Sequence, residues 1–206
     1  CAFPSSEFYS GKLRAHNEMI GVNPAIPLKS FTLFDVSHGQ MKVHGKSGSK
    51  YNFEEVVVVM QLLEQINQKI KPESTITIGV ITFYEAQKQI LKEEVRFLEM
   101  NENFDIQIEN VDGFQGREKD IIILSCVRAP TATNNNTGTL GFITSPQRIN
   151  VAITRPKSVL YIVTNADKLS SDEGHWANLV ERAKKVDCFR KVNADTGEDQ
   201  IDEWVQ

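Results

Sequence analysis

The stretch VDGFQGREKDIIILSCVR, residues 111–128, joins a polar loop to an apolar strand. Its first half carries Gly113 and Gly116 among charged side chains, and its second half, residues 121–126, is almost entirely apolar. Ligand chemistry in α/β proteins lies on such loops, because the strand is rigid and the loop backbone can approach a ligand. A second polar segment, residues 145–157, also precedes an apolar strand. The two loops together predict one shared site.

Strand and helix patterns alternate outward from this stretch. Apolar runs predict strands at residues 31–36, 76–82, 104–111, 121–126, 158–164 and 188–192. Helical spacing predicts helices at residues 53–70, 84–100, 145–154 and 176–185, with Asn52 and Ser145 as N-caps and Pro146 at the first helical position. Strands rich in Ile and Val that alternate with helices pair in parallel and are covered on both faces. The predicted fold class is therefore α/β, with a doubly wound parallel sheet.

The 206 residues predict one main domain with two flanking segments. We assign residues 31–192 to the domain, residues 1–30 to an N-terminal arm, and residues 193–206 to an acidic tail. The carboxylates of the tail have no basic neighbours in sequence, which predicts a flexible, solvated segment with Trp204 as a docking point. The chain starts without Met, so we expect a piece of a longer protein. The run of Asn at 134–136 predicts a long loop with no assigned role.

Composition excludes several classes of protein. The net charge of −4 argues against a surface covered with positive charge, though not against a narrow basic channel. No apolar run approaches the roughly 20 residues that span a bilayer, so no membrane partner is expected. Three widely spaced cysteines give neither a disulfide framework nor a metal site, and they favour a reducing, intracellular setting.

The tripeptide Gly45-Lys46-Ser47 resembles the end of a phosphate-binding P-loop. A P-loop needs another glycine five residues before Gly45, and Gln40 occupies that position. Residues 48–50 also continue a polar loop where a helix should begin. We therefore predict that this chain has no P-loop of its own.

The polar loops leave more than one interpretation open. Gly116 would let backbone N–H groups approach an anion, and Arg117 and Glu118 offer a cation and an acceptor, but solvated charges on an ordinary connection fit equally. Arg155 follows the helix predicted at 145–154, where an arginine either caps the last carbonyls or serves as an arginine finger on a γ-phosphoryl group. A metal nuclease built on Asp112, Glu118 and Lys119 is a weaker alternative, because adjacent residues face apart on a strand.

Three segments of the chain resemble motifs of superfamily 1 helicases of the senataxin-like group. Residues 111–128 resemble motif V, residues 141–157 (GFITSPQRINVAITRPK) resemble motif VI, and residues 78–91 resemble motif IV. Residues 3–13 are similar to the segment after the family's QYRMHP motif. Phe83 and Pro156 depart from the Pro and Ala that the family usually has, and neither departure removes a catalytic group.

The resemblance implies a RecA-like domain of the P-loop NTPase type, the second of two, with ATP and Mg²⁺ held mainly by the first. It implies ATP contacts from Gly116, Arg117, Glu118 and Arg155, with Arg155 and Glu118 catalytic. Arg148 and Asn150 would brace motif VI. Single-stranded RNA or DNA would lie near four residues: Thr82, Val111, Asp112 and Phe114. No metal ligands are expected in this chain.

The function expected from the resemblance is an ATP-dependent helicase that translocates on single strands and unwinds duplexes, and that is inactive without its first RecA-like domain. Its setting would be nuclear or cytoplasmic, with the nucleus favoured. The alternative is a non-catalytic RecA-like module that binds nucleic acid or protein. A P-loop about one domain upstream of Cys1 would favour the enzyme.

Overall fold

The computed structural model describes residues 2–12, 26–131, 140–171, 173–196 and 198–205. These residues contain eight strands: β1 Phe31–Asp35, β2 Lys42–Val43, β3 Lys50–Tyr51, β4 Ile76–Thr82, β5 Phe104–Asn110, β6 Lys119–Ser125, β7 Pro156–Thr164 and β8 Phe189–Lys191. The same described residues contain seven α-helices: α1 Ala2–Phe8, α2 Phe53–Lys69, α3 Glu85–Glu94, α4 Pro146–Ile153, α5 Ala166–Ser170, α6 His175–Lys185 and α7 Glu198–Val205. Short 3-10 helices lie at Val95–Phe97, Val111–Phe114 and Gly141–Thr144.

Six of the strands form one parallel sheet in the order β5-β4-β6-β7-β1-β8. Successive residues of β6 show why both faces are covered. Ile121 and Ile123 pack against the core with α2, α3 and α7, whereas Ile122 and Leu124 pack on the opposite face with α4, α5 and α6. Strands that are buried on both sides must be apolar throughout. The predicted doubly wound α/β class is confirmed, and the arrangement is RecA-like.

Most predicted helix starts agree with the structure. Asn52 caps α2 as predicted, because its side-chain oxygen accepts from the backbone N–H of Glu55 at 3.2 Å. Ser145 stands at the N-cap position of α4 but makes no side-chain capping bond, and its hydroxyl donates instead to Gln147 Oε1 at 3.0 Å. Pro146 is the first residue of α4, as predicted.

The helix predicted at residues 84–100 is shorter in the structure. It ends at Glu94 and tightens into the 3-10 turn Val95–Phe97. Asn67 of α2 explains the early end, because its amide donates to the carbonyl of Glu99 at 2.9 Å and its oxygen accepts from the N–H of Asn101 at 2.9 Å. A side chain that satisfies these backbone groups competes with further helical turns.

Residues 193–206 include an ordered helix, contrary to the flexible tail predicted from charge. In α7, Ile201 and Val205 are fully buried in the core beside α2. Asp202 pairs with Lys69 at 2.5 Å, and the carbonyl of Val205 accepts from the Tyr161 hydroxyl at 3.3 Å. The spacing of Ile201 and Val205 places both on one helical face, and their burial outweighs the charge of the segment.

Other predictions fall partly or wholly outside the residues that the structure describes. The N-terminal arm is described over residues 2–12, where Phe3 and Phe8 pack against the core with α4 and α6, and residues 13–25 lie outside the description. The run of Asn at 134–136 also lies outside the described residues. Among the helices that the structure describes, none has the length and apolar character of a bilayer-spanning segment.

Candidate functional site

Residues 111–118 cross one face of the sheet and join its two edges. β5 ends at Asn110, level with the carboxyl ends of β4 and β6, while β6 begins at Lys119, at the amino edge. The connection therefore runs back along the whole sheet without an α-helix. Phe114 anchors it, because this side chain is fully buried against β4 at Gly79, where a Cβ atom would lie 2.9 Å from the ring. The motif V segment thus carries residues to two separate places.

The amino edge collects the residues predicted to contact ATP. Gly116 is exposed and has φ of +76°, a left-handed conformation that glycine adopts without strain. Glu118 is exposed, and among the described residues its carboxylate has no hydrogen-bond or ion-pair partner. The backbone N–H of Lys119 donates to the carbonyl of Arg155 at 3.2 Å, so the start of β6 and the start of β7 hold the two loops together. The predicted convergence of the motif V and motif VI loops is present here.

Arg155 lies in the capping geometry that was one of its two interpretations. Its Nε donates to the carbonyl of Val151 at 3.0 Å, in the last turn of α4, and its Nη2 donates to Thr154 Oγ1 at 2.9 Å. Its Nη1 donates to the carbonyl of Arg117 at 3.4 Å. The side chain is only half-buried. The guanidinium therefore borders the exposed Gly116–Glu118 turn while it caps the helix.

The carboxyl edge holds a second group of polar residues. Asp112 accepts two hydrogen bonds from Arg148, at 3.1 Å from Nε and 3.0 Å from Nη2, which ties motif V to motif VI. These bonds raise the pKa of the Arg148 guanidinium above its ordinary value. The pair borders an open cavity of about 230 Å³ that is lined by Phe83, Asn110, Val111, Asp112, Phe142 and Arg148. Asp112 and Val111, both predicted near a nucleic acid, thus line one cavity.

Two other residues predicted near the nucleic acid are buried. Thr82 is fully buried at the end of β4, where its hydroxyl accepts from the N–H of Tyr84 at 3.5 Å. Phe114 is buried beneath the crossing segment. Neither side chain lines the cavity. Asn150, predicted to brace motif VI, donates to the Tyr9 hydroxyl at 2.8 Å and so joins α4 to the N-terminal arm.

A buried carboxyl group holds the turn that follows β6 in an unusual conformation. Val127 has φ of +71°, which is rare for a β-branched residue and marks local strain. Glu55 accepts from its N–H at 2.9 and 3.1 Å and from the Ser125 hydroxyl at 2.6 Å. Burial raises the pKa of Glu55 to about 8, against the opposing effect of these donors. This turn directs the following Arg128, which is buried, toward the carboxyl edge.

The structure also bears on the two alternatives that use these loops. Residues 45–47 form the turn of the β2–β3 hairpin, with Gly48 N–H bonded to the carbonyl of His44 at 2.9 Å, so this tripeptide does not open a helix as a P-loop does. For a nuclease, Asp112 lies at the carboxyl edge and Glu118 at the amino edge. Lys119 pairs with Asp105 at 2.8 Å. The structure therefore does not bring the proposed nuclease residues together.

Sequence analysis missed Phe142, Tyr84 and Lys50 at the carboxyl edge. Phe142 is 46% exposed on the 3-10 turn before α4, and its ring centroid lies 5.0 Å from that of Tyr84. The available signal was an aromatic residue directly after Gly141 inside the motif VI segment. Lys50 gave no local signal, because the hairpin that brings it to Tyr84 is a tertiary arrangement.

Comparison with known proteins places these loops in a family. A family model described as an AAA domain matches residues 1–167. The chain is 35% identical over 195 residues to "Probable helicase senataxin" of Mus musculus, covering 94% of this chain and 7% of that protein. It is 34% identical to "Helicase SEN1" of Saccharomyces cerevisiae, covering 91% and 8%. It is 36% identical to "Probable helicase MAGATAMA 3" of Arabidopsis thaliana, covering 93% and 24%.

The chain thus spans at most 24% of the length of these three relatives. The family match extends through the motif IV, V and VI segments, and the parallel sheet brings those segments to its two edges. The chain therefore belongs to the AAA domain family and is a helicase domain of the senataxin-like group of superfamily 1.

Proposed function

We propose that this chain is the second RecA-like domain of an ATP-dependent helicase that translocates on single-stranded RNA or DNA and unwinds duplexes. ATP and Mg²⁺ would be held mainly by a first RecA-like domain of the same polypeptide. The observation that carries the proposal is the grouping of Gly116, Glu118 and Arg155 at the exposed amino edge of the sheet, where two loops are joined by the 3.2 Å bond from Lys119 N–H to the Arg155 carbonyl.

The residues at this edge have the chemistry that a nucleoside triphosphate requires. Gly116 exposes backbone that a phosphate can approach closely, and no atom lies within 4 Å of where its Cβ would be. The exposed Glu118 carboxylate can accept from ribose hydroxyls, and Arg117 adds an exposed cation. Arg155 offers a guanidinium that neutralises charge on a transferring phosphoryl group. ATP, when bound, supplies the γ-phosphoryl group whose transfer to water drives the cycle.

The carboxyl edge would form part of the nucleic-acid channel. Asp112 and Val111 line its cavity with Arg148, while Thr82 and Phe114 are buried in the domain. A site of this composition grips backbone and base faces with little dependence on sequence. We place this activity inside the cell, with the nucleus favoured by family.

The proposal is tested by Arg155→Ala in the full-length protein. Loss of an arginine finger lowers kcat by about 10³-fold or more, and we expect the affinity for a single-stranded oligonucleotide to stay unchanged, because that site lies at the other edge. Steady-state ATPase rates and fluorescence anisotropy measure the two quantities. Arg182→Ala, an exposed arginine of α6, is the matched control and should leave both unchanged.

Because Arg155 also caps α4, a loss of folding must be separated from a loss of catalysis. Arg155→Lys keeps the positive charge without the planar fork, and thermal unfolding of both variants reports their stability. Normal turnover in well-folded Arg155→Ala would overturn the finger assignment and favour the non-catalytic binding module.

A further inference from the structure

Phe142 is exposed to solvent on a turn that hydrogen bonds and packing hold in place. It lies in the 3-10 helix Gly141–Thr144, where the Thr144 hydroxyl donates to the carbonyl of Gly141 at 2.8 Å. The next residue, Ile143, is fully buried, and its carbonyl accepts from the Trp176 indole N–H at 2.9 Å. The backbone on either side of Phe142 is therefore fixed from below. An aromatic ring that is 46% exposed on such a base needs little ordering to bind a ligand.

Phe142 belongs to a row of two neighbouring rings with a cation at each end, along the carboxyl edge. The guanidinium carbon of Arg148 lies over the Phe142 ring, 5.2 Å from its centroid. The Tyr84 ring is tilted by 55° to that of Phe142, with 5.0 Å between the centroids, and Lys50 Nζ lies 5.7 Å from the Tyr84 centroid. These four residues come from three distant parts of the sequence. We call them the carboxyl-edge row.

Further positive charge lies close behind the row. Burial first, and then repulsion from the Arg128 guanidinium, lower the pKa of Lys50. The same two causes, in the same order, lower the pKa of Lys168. Arg128 also hydrogen-bonds the Tyr84 hydroxyl. Arg128 therefore repels two lysines at this edge, in a chain whose net charge is −4, and an anionic ligand would offset that repulsion.

We infer that Phe142 is a stacking platform for a base of single-stranded nucleic acid, with Lys50 facing a neighbouring phosphate. Arg148, whose Nε and Nη2 are bonded to Asp112, holds the Phe142 ring in place. Tyr84 is 5% exposed and acts as a positioning residue beneath Phe142. An exposed ring between cations is the combination that sequence-tolerant single-strand sites use. The neighbouring cations favour a polyanion over an apolar protein segment as the occupant. The inference rests on the proposed function and adds contact residues to its nucleic-acid site.

The test compares two short oligonucleotides of equal length, oligo(U) and an abasic oligomer, by fluorescence anisotropy with the full-length protein. Stacking on an aromatic side chain contributes about 5-fold or more to affinity per base. We expect Phe142→Ala to weaken oligo(U) binding by at least that factor and to leave abasic binding unchanged. Phe142→Trp should retain the preference for oligo(U). Phe97→Ala is the matched control, because Phe97 is 81% exposed and follows α3 toward the amino edge.

A second arm tests the phosphate contact. Lys50→Gln should weaken both oligomers equally and lower the slope of log affinity against log salt by about 1. Lys71→Gln, an exposed lysine that precedes β4 near the amino edge, is its control and should change neither quantity. An unchanged salt slope in Lys50→Gln would overturn the assignment of Lys50.

The remaining outcomes are distinguishable. Equal oligo(U) binding by wild type and Phe142→Ala, or an equal loss for both oligomers, would overturn the stacking role while leaving the proposed helicase function intact. Failure of the wild-type protein to bind either oligomer would overturn the nucleic-acid part of the proposed function, and this inference with it. The ATPase defect of Arg155→Ala is independent of all these outcomes.

Discussion

Glu55 is a buried side chain that fixes the backbone conformation of a strand end remote from it in sequence. It lies in the first turn of α2, fully buried, and accepts hydrogen bonds from the end of β6. Gln87 extends the network, because its amide donates to Ser125 Oγ at 2.9 Å and its oxygen accepts from the Asn52 N–H at 2.9 Å. These bonds hold Val127 in its left-handed conformation, which Val does not favour in isolation. The position of Arg128 follows from that turn.

Glu55 makes the stability of the domain depend on pH. Its folded-state pKa, about 8, lies above the ordinary value of 4.5, so the folded state holds the proton more strongly between these values. The contribution of Glu55 to the free energy of unfolding should therefore be fully present below the lower value and be lost as pH rises through the higher one. The slope from this group reaches at most roughly 1.4 kcal/mol per pH unit. Denaturant unfolding at a series of pH values between 5 and 8 measures it.

Glu55→Gln should flatten this dependence, because the amide does not titrate, and should lower stability overall, because its NH₂ faces the Val127 N–H. The exposed Glu73→Gln serves as the control and should retain the wild-type slope. If Glu55→Gln and wild type show the same slope, Glu55 is not the titrating group.

At the scale of elements, the segment at residues 111–118 connects two parallel strands, as a helix does elsewhere in the sheet. It returns the chain from the carboxyl edge to the amino edge between β5 and β6, which lie on either side of β4. The segment packs closely on β4, and Gly79 leaves the space for it because glycine has no side chain. A Cβ at Gly79 would lie 2.6 Å from Ile122 Cδ1 and 2.9 Å from the Phe114 ring.

Gly79→Ala should therefore lower the free energy of unfolding by about 1–3 kcal/mol, the usual effect of overpacking a core. Gly45→Ala is the control, because no atom lies within 4 Å of its Cβ position. Adding Ile122→Val to Gly79→Ala removes the atom in closest contact and should restore part of the loss. Chemical denaturation measures all three variants. Wild-type stability in Gly79→Ala would show that the segment is held less tightly than these contacts indicate.

The boundaries of the helices and strands show which structural features local sequence determines. The Asn52 cap and the strand at residues 76–82 follow from the local spacing of residue types, and both were predicted. The early end of α3 depends on Asn67, which is remote in sequence from the backbone groups it satisfies. The order of α7 depends on the apolar surface of α2, against which Ile201 and Val205 are buried. Local propensity carries no information on such partners.

At the scale of the whole molecule, the two edges of one sheet carry two different groups of residues. The amino edge presents Gly116, Glu118 and Arg155, and the carboxyl edge presents the Asp112–Arg148 pair and the carboxyl-edge row. The β4–β6–β7 centre connects them rigidly, because its strands are buried on both faces. Nucleotide-dependent movement of this domain would therefore move both groups together.

The proposed division of the ATP site between two domains predicts the behaviour of the chain alone. Within the part of the chain that the structure describes, the only P-loop-like tripeptide lies in a hairpin turn. We therefore expect this chain by itself to show no ATPase, and we expect the full-length protein to hydrolyse ATP. A phosphate-release assay on both measures this, with Arg155→Ala full-length protein as the inactive reference. If the chain alone still hydrolyses ATP in the presence of magnesium after repurification, the proposal that it holds only part of the ATP site is wrong.

The sequence by itself determined the fold class, the six strands of the main sheet with four of the helices, and the location of the motif-like segments. Strand and helix periodicity is local, and the motif V and VI segments are contiguous, so both can be read along the chain. Only the tertiary structure decided that residues 111–118 serve opposite edges, that Thr82 and Phe114 are buried, and that Lys50, Tyr84, Phe142 and Arg148 form one row. Those relations depend on which surfaces pack together across the sheet, and packing joins residues that are far apart in sequence.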